Sequence, residues 1–180
     1  MRESAVRSCP KLALALVAAM LVAFPILADD KAPPKQPIEY FALTEEGLEG
    51  FGKAMKNLEK NAAAIRAELE ALEKKQKEEE NDGSVDAVIA TMTKACEGVA
   101  GFRSAVKDAG LSCRDYTLLS VTTMQASILA LGYQARGEEF LESFPGGKEG
   151  HVRANIEFAI AHKADLETLA ANQGKLFEKK

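Results

Sequence analysis

The chain has 180 residues, a formal net charge of −4, 6% aromatic residues and no Trp. An acidic balance of this kind recruits neither nucleic acid nor anionic lipid by net charge. Abundant Ala, Leu, Glu and Lys with so few aromatics is helix composition, and no segment alternates as a strand would, so the predicted class is all-α.

The first thirty residues have the three parts of a secretory signal. Arg2, Arg7 and Lys11 precede an apolar run from Leu12 to Leu27, which closes at Ala28 before Asp29 and Asp30. The run is about 16 residues, contains Pro25 and has no stop-transfer pattern after it, whereas a permanent span needs about 20 residues. Cleavage after Ala28 is therefore expected, with Cys9 removed alongside, and the mature protein is expected to be periplasmic or secreted. This divides the chain into a signal peptide (1–28), an extended Pro-rich leader holding Pro33, Pro34 and Pro37 (29–42), and a helical domain (43–180).

Thr44 offers an N-cap with Glu45 and Glu46 in the first turn. From there Leu48, Phe51, Met55, Leu58, Ala62, Ile65, Leu69 and Leu72 recur at steps of three and four, a heptad seam that predicts one long first helix. It should stop at Asn81-Asp82-Gly83. Ser84 restarts the chain as a second helix whose apolar face runs from Val85 through Cys96, Val99, Phe102 and Val106 to Ala109, past weak points at Gly98 and Gly101, until Gly110 ends it. Ser112-Cys113-Arg114-Asp115 is a capping box, with Leu111 and Tyr116 at the positions of a hydrophobic staple.

The third helix has no charged residue between Asp115 and Arg136. A helix without a charged face is buried on most sides, or part of it faces a ligand or partner chain. Its Thr, Ser and Gln residues make it too polar for a bilayer. Residues 137–150 read as a long loop. A fourth helix is expected from about His151 to Phe177, with Val152, Ile156, Ala159, Leu166, Leu169, Ala170 and Phe177 inward. Four amphipathic helices joined in this order predict an antiparallel four-helix bundle.

The sequence holds no recognisable hydrolase signature, phosphate cradle, His-x-x-x-His or Cys-x-x-Cys-His, so no catalytic residue and no metal site is expected. Asn155 and His162, seven apart on the fourth helix, edge onto its buried face. The expectation is a polar pair hydrogen-bonded to the third helix through Thr123 or Gln125. A sharper alternative is b-type haem: in an up-down bundle Met55 lies about one turn from the level of His162, and methionine and histidine from the first and last helices form the axial pair in small soluble haem bundles, which this arrangement resembles. Cys96 and Cys113 are expected to be unbridged. In a straight helical hairpin about 20 Å of rise would separate Cys96 from the turn, against Cα atoms within about 7 Å in a disulfide. Only a sharp break at Gly98 or Gly101 would permit the bridge.

Gly110-Leu111-Ser112-Cys113-Arg114-Asp115-Tyr116, the charge-free helix after it, and Asn155-Ile156-Glu157-Phe158 leading to His162 resemble a set of uncharacterised exported helical proteins of Gram-negative bacteria. These carry a Gly-Leu-x-x-Arg-Asp/Glu-Tyr turn and an Asn-x-x-Phe-x-x-x-His segment, and the likeness covers most of residues 43 to 170. The group implies no activity and no functional residues, and Cys113 departs from its pattern. The expected function is a non-catalytic, exported binding or interaction protein acting on an unknown protein or small ligand. Homo-oligomerisation is left open. The alternatives are a haem-binding or redox carrier using Met55 and His162, and an envelope chaperone-like or stress protein.

Overall fold

A computed structural model describes residues 35–75, 84–143, 146–148 and 150–177. The signal segment, the first part of the leader and the helix stop at Asn81-Asp82-Gly83 lie outside them. The described residues are all-helical with no strand: α1 (Pro37–Tyr40), α2 (Glu45–Lys60), α3 (Ala62–Lys75), α4 (Val85–Gly98), α5 (Ala100–Lys107), α6 (Cys113–Arg136), α7 (Glu138–Ser143), α8 (Val152–Ala161) and α9 (Lys163–Phe177). No helix among them is long and apolar enough to cross a membrane.

Helix α6, without a charged residue between Asp115 and Arg136, is the centre of the molecule. It packs against α1, α2, α4, α5, α7, α8 and α9, and every residue from Tyr116 to Thr123 is buried. A charged side chain there would lose its hydration without a partner. Hydroxyls are tolerated because they bond back along their own helix: Thr117 to Cys113 O (2.9 Å), Thr123 to Leu119 O (2.7 Å) and Ser127 to Thr123 O (2.8 Å). Ser120 Oγ instead accepts from Gln173 Nε2 of α9 at 3.2 Å. Tyr116, 1% exposed, stands between Phe51 and Phe102, with ring centroids 5.2 and 5.5 Å away. Its hydroxyl donates to Met55 Sδ at 3.4 Å, and burial pushes its ionisation well above the ordinary phenol range.

The expected helix starts are built as the sequence implies. Thr44 Oγ1 accepts from Gly47 N, Ser84 Oγ from Ala87 N and Ser112 Oγ from Asp115 N, at 3.0 to 3.1 Å. Gly110, at φ +83°, turns the chain before α6, and Leu111 N–H reaches back to Val106 O at 3.2 Å. The first, second and fourth expected helices differ from expectation in one way: each is interrupted once, at Asn61, Val99 and His162. Apolar spacing runs across every break, since Leu58 and Ile65 flank the first, Cys96 and Phe102 the second, and Ala159 and Leu166 the third, all buried. The breaks therefore redirect each helix without losing its contact with the core. Ala170, expected inward, is exposed.

The break at Val99 overturns the expectation for the cysteines. Cys96 and Cys113 form a disulfide, with Cα atoms 5.7 Å apart. The straight hairpin that would have separated them does not exist, because Val99 is extended (φ −104°, ψ 112°) and ends α4 three residues after Cys96. Neighbours satisfy the backbone groups that the break orphans. Glu68 Oε2 of α3 accepts from Ala100 N at 3.1 Å, and Arg103 Nη1 donates to Glu97 O at 2.9 Å. The short α5 then carries the chain out, and Gly110 returns it to Cys113.

Two stability outcomes follow from this core. Reduction of the bridge, which spans 17 residues, should lower unfolding free energy by about 3 kcal/mol; equal denaturant midpoints with and without reductant would show that it contributes nothing. Thr122 is wholly buried and its hydroxyl has no hydrogen-bond partner. Thr122→Val removes that unsatisfied group at constant shape, so stability should rise by about 1 kcal/mol, read as a higher denaturant midpoint.

Candidate functional site

The part of the chain expected to be an extended, poorly ordered leader contains a folded strap. From Gln36 to Leu43 it lies on α6 and α8, with Pro37, Ile38 and Leu43 buried. Pro37 occupies the first position of α1, where its missing N–H costs nothing, and Glu39 Oε1 accepts from Gln36 N at 3.1 Å. Burying so irregular a segment requires partners for its backbone. Asn155 of α8, 1% exposed, serves three of these groups. Its Oδ1 accepts from Leu43 N (2.8 Å), and its Nδ2 donates to Ile38 O (2.9 Å) and Phe41 O (2.8 Å).

Gln125 of α6 adds a further clasp. Its Oε1 accepts from Ile38 N at 3.2 Å, while its Nε2 donates to Gln36 Oε1 at 3.3 Å. The region read as one long loop after α6 contains α7, then closes on the strap from another side, where His151 N donates to Glu39 O at 2.9 Å. Gly150 permits this approach: its φ is +52°, and a Cβ would overlap the carbonyl of Glu39.

The polar pair expected on the fourth helix is therefore split. Asn155 is buried as expected, but it binds the strap rather than Thr123 or Gln125. His162 sits at the break between α8 and α9 with its side chain 21% exposed, so it is not a core residue. Its Nε2 lies 2.8 Å from Glu45 Oε1 at the start of α2 and its Nδ1 3.8 Å from Asp165 Oδ2, while its ring lies against Phe158 with centroids 4.3 Å apart. The haem alternative required Met55 and His162 to face one another. They do not, because His162 meets α2 at Glu45, ten residues or about 15 Å along the helix from Met55, and Met55 Sδ is taken by the Tyr116 hydroxyl deep in the core.

Beside the strap, an open cleft of about 420 Å³ lies between the strap's exit, α2 and the Gly110 turn. Gly47 and Gly50 form its floor with Leu111 and Leu119, and Phe41 contributes a wall. The two glycines let α2 approach closely: a Cβ would stand 3.1 Å from Leu119 at Gly47 and 3.3 Å from Leu111 at Gly50. The rim carries Glu46, Glu49, Asp115 and Lys53. Lys53 Nζ is 2.8 Å from Glu49 Oε1; that hydrogen bond, then the ammonium charge, holds the Glu49 carboxyl below the usual range. Asp115 Oδ2 accepts from Ser112 Oγ at 2.6 Å.

The lining contains no Ser, Cys or His; its polar side chains are Thr44, Glu46, Glu49, Lys53 and Asp115, so the cleft can hold an apolar body carrying a cation. Among the described residues no group of three or more His, Cys, Asp or Glu is placed to hold a metal ion. Sequence reasoning missed both strap and cleft. The available signals were Gln36-Pro37-x-Glu39, a helix start, and the apolar Ile38, Phe41 and Leu43 just after it.

Asn155→Ala would leave Leu43 N–H and the Ile38 and Phe41 carbonyls without their partner. At about 1 kcal/mol or more for each buried group left unpaired, the loss should be about 3 kcal/mol, with the strap becoming the first site of protease cleavage. Asn155→Asp keeps shape and acceptor but cannot donate to both carbonyls, so it should be as damaging at neutral pH. A protease pattern and denaturant midpoint unchanged in both variants would contradict the strap's role.

Compared with protein-family models, curated proteins and solved structures, the chain matches none.

Proposed function

We propose that the chain is an exported, non-catalytic binding protein, its domain an antiparallel four-helix bundle whose outer helices are each broken once and whose N-terminal strap is clasped by Asn155. Export is supported by two independent features. One is the basic, apolar and small-residue pattern of Arg2 to Ala28. The other is the Cys96–Cys113 bridge, since disulfides persist in oxidising compartments such as the periplasm.

The observation that carries the binding reading is the cleft at Gly47, Gly50 and Leu111. Its apolar floor beneath the carboxylates of Glu46, Glu49 and Asp115 suits a ligand with a cationic group on an apolar body. A Lys or Arg side chain of a partner protein, or a small organic amine, has that chemistry. A second reading, an envelope chaperone-like protein, is favoured by a different feature: Ile128 and Leu131 are exposed on α6, at 44% and 64%.

Intact mass of periplasmic protein should match a chain beginning at Asp29 with its bridge formed. Titration of this isotope-labelled protein with the tripeptide Lys-Leu-Lys should shift the amide resonances of Gly47, Gly50 and Gly110 first, and Glu46→Lys should weaken the effect several-fold. Shifts scattered over the surface, or none, would sink the cleft as the binding site.

A further inference from the structure

Along α2, Glu46, Glu49, Gly50 and Lys53 fall on one stripe at steps of three, one and three, and all of them line the cleft. The carboxylates of the rim are not equally available. Asp115 accepts from Ser112 Oγ at 2.6 Å as part of the α6 cap. Glu49 Oε1 is held by Lys53 Nζ at 2.8 Å, a charge-assisted hydrogen bond that keeps the Glu49 carboxyl below the usual range. Glu46 is exposed and has no ion-pair partner among the described residues. An ammonium on an apolar four-carbon stem is also the chemistry of the proposed ligand, so the chain carries one of its own at the cleft.

We propose that Lys53 is the resident cation of the cleft: its Nζ holds the Glu49 carboxylate, and a ligand's ammonium reaches Glu49 only by displacing it. The inference rests on the cleft being the binding site and assigns what regulates that site. Displacement is feasible because the pair is exposed, at 59% and 69% of the two side chains. An exposed ion pair of this spacing is weak, and the lysine stem can swing outward with its charge still hydrated.

The exchange has a consequence for specificity. One ammonium replaces another at Glu49, so the net Coulomb gain there is small. Affinity must come from contacts beyond that exchange: an apolar body on the floor of Gly47, Gly50, Leu111 and Leu119, and a cation at Glu46. A bare cation gains little by entering, whereas a cation on an apolar body gains the floor. Lys53 is thus the residue that passes amphiphilic cations and refuses simple ones.

Two substitutions separate competition from a change in overall charge. Lys53→Met keeps an apolar side chain of similar length and removes the ammonium; Lys56→Met removes the same charge from an exposed position outside the lining. In amide-resonance titrations of the disulfide-bonded protein, Lys-Leu-Lys should bind Lys53→Met about threefold more tightly than wild type, the order expected for loss of one exposed pair. Lys56→Met should match wild type. Acetyl-Gly-Leu-Gly-amide, which has the apolar body and no cation, should gain nothing from Lys53→Met. The Glu49 carboxyl carbon gives a second readout. Its titration, held low in wild type, should return to the ordinary carboxylate range in Lys53→Met and fall again when Lys-Leu-Lys is added.

An affinity in Lys53→Met no tighter than in Lys56→Met, an equal gain for the neutral peptide, or a Glu49 titration that Lys-Leu-Lys leaves unmoved in Lys53→Met would overturn the proposal while leaving the cleft as the binding site. Peptide-induced shifts away from Gly47, Gly50 and Gly110 in wild type and Lys53→Met alike would remove the cleft and the proposal together.

Discussion

The fold answers first to one stretch of α6, Tyr116 to Thr123, that cannot face water or bear a charge. Between Tyr116 and Thr123 every side chain of α6 is buried, and its hydroxyls are satisfied largely by its own carbonyls. Such a helix needs cover around its whole circumference, and straight neighbours cover only a stripe each. The single-residue breaks at Val99 and His162 and the strap across α6 and α8 meet this requirement, while the break at Asn61 turns α3 onto α4 and α5. Among the described residues, the apolar face of α6 emerges at Ile128 and Leu131.

The disulfide and Asn155 are two ways of fixing chain that helical packing alone would leave loose. Cys96–Cys113 ties the end of α4 to the start of α6 across a break whose backbone is extended. Asn155 ties eight residues of irregular chain to α8 by presenting one acceptor and two donors where the strap offers one N–H and two carbonyls. A side-chain amide is the only uncharged group with that combination at one carbon. The strap from Gln36 is thus folded into the same structure as the helices that follow the Thr44 cap.

The all-helical class and the starts of the longer helices were legible in the residues because capping chemistry and apolar period are local. Thr44, Ser84 and Ser112 cap as their side chains imply, and Gly110 turns as its lack of a Cβ allows. The breaks were not legible from periodicity, because Leu58, Ala62 and Ile65 keep the spacing of an unbroken helix on either side of Asn61. That blindness produced the error over the cysteines: a straight helix two forbids the bridge, while a helix ending at Gly98 permits it. The strap was hidden by composition, since Pro and charge outweighed Ile38, Phe41 and Leu43. Asn155 stood out as buried and polar, but which segment it would serve depended on a long-range contact that no local pattern encodes. His162 lay beside the same stripe and went the other way, because the break at its own position turned it toward Glu45.

The account holds that strap and central helix form one cooperative structure, and native-state hydrogen exchange of the wild-type protein tests this most directly. Amides of α6 from Tyr116 to Thr123 should be the slowest, and Leu43 N–H, held by Asn155, should exchange within about tenfold of them through the same global opening. Exchange of Leu43 at the rate of an exposed peptide while α6 stays protected would contradict it, leaving the strap an appendage and Asn155 without its role.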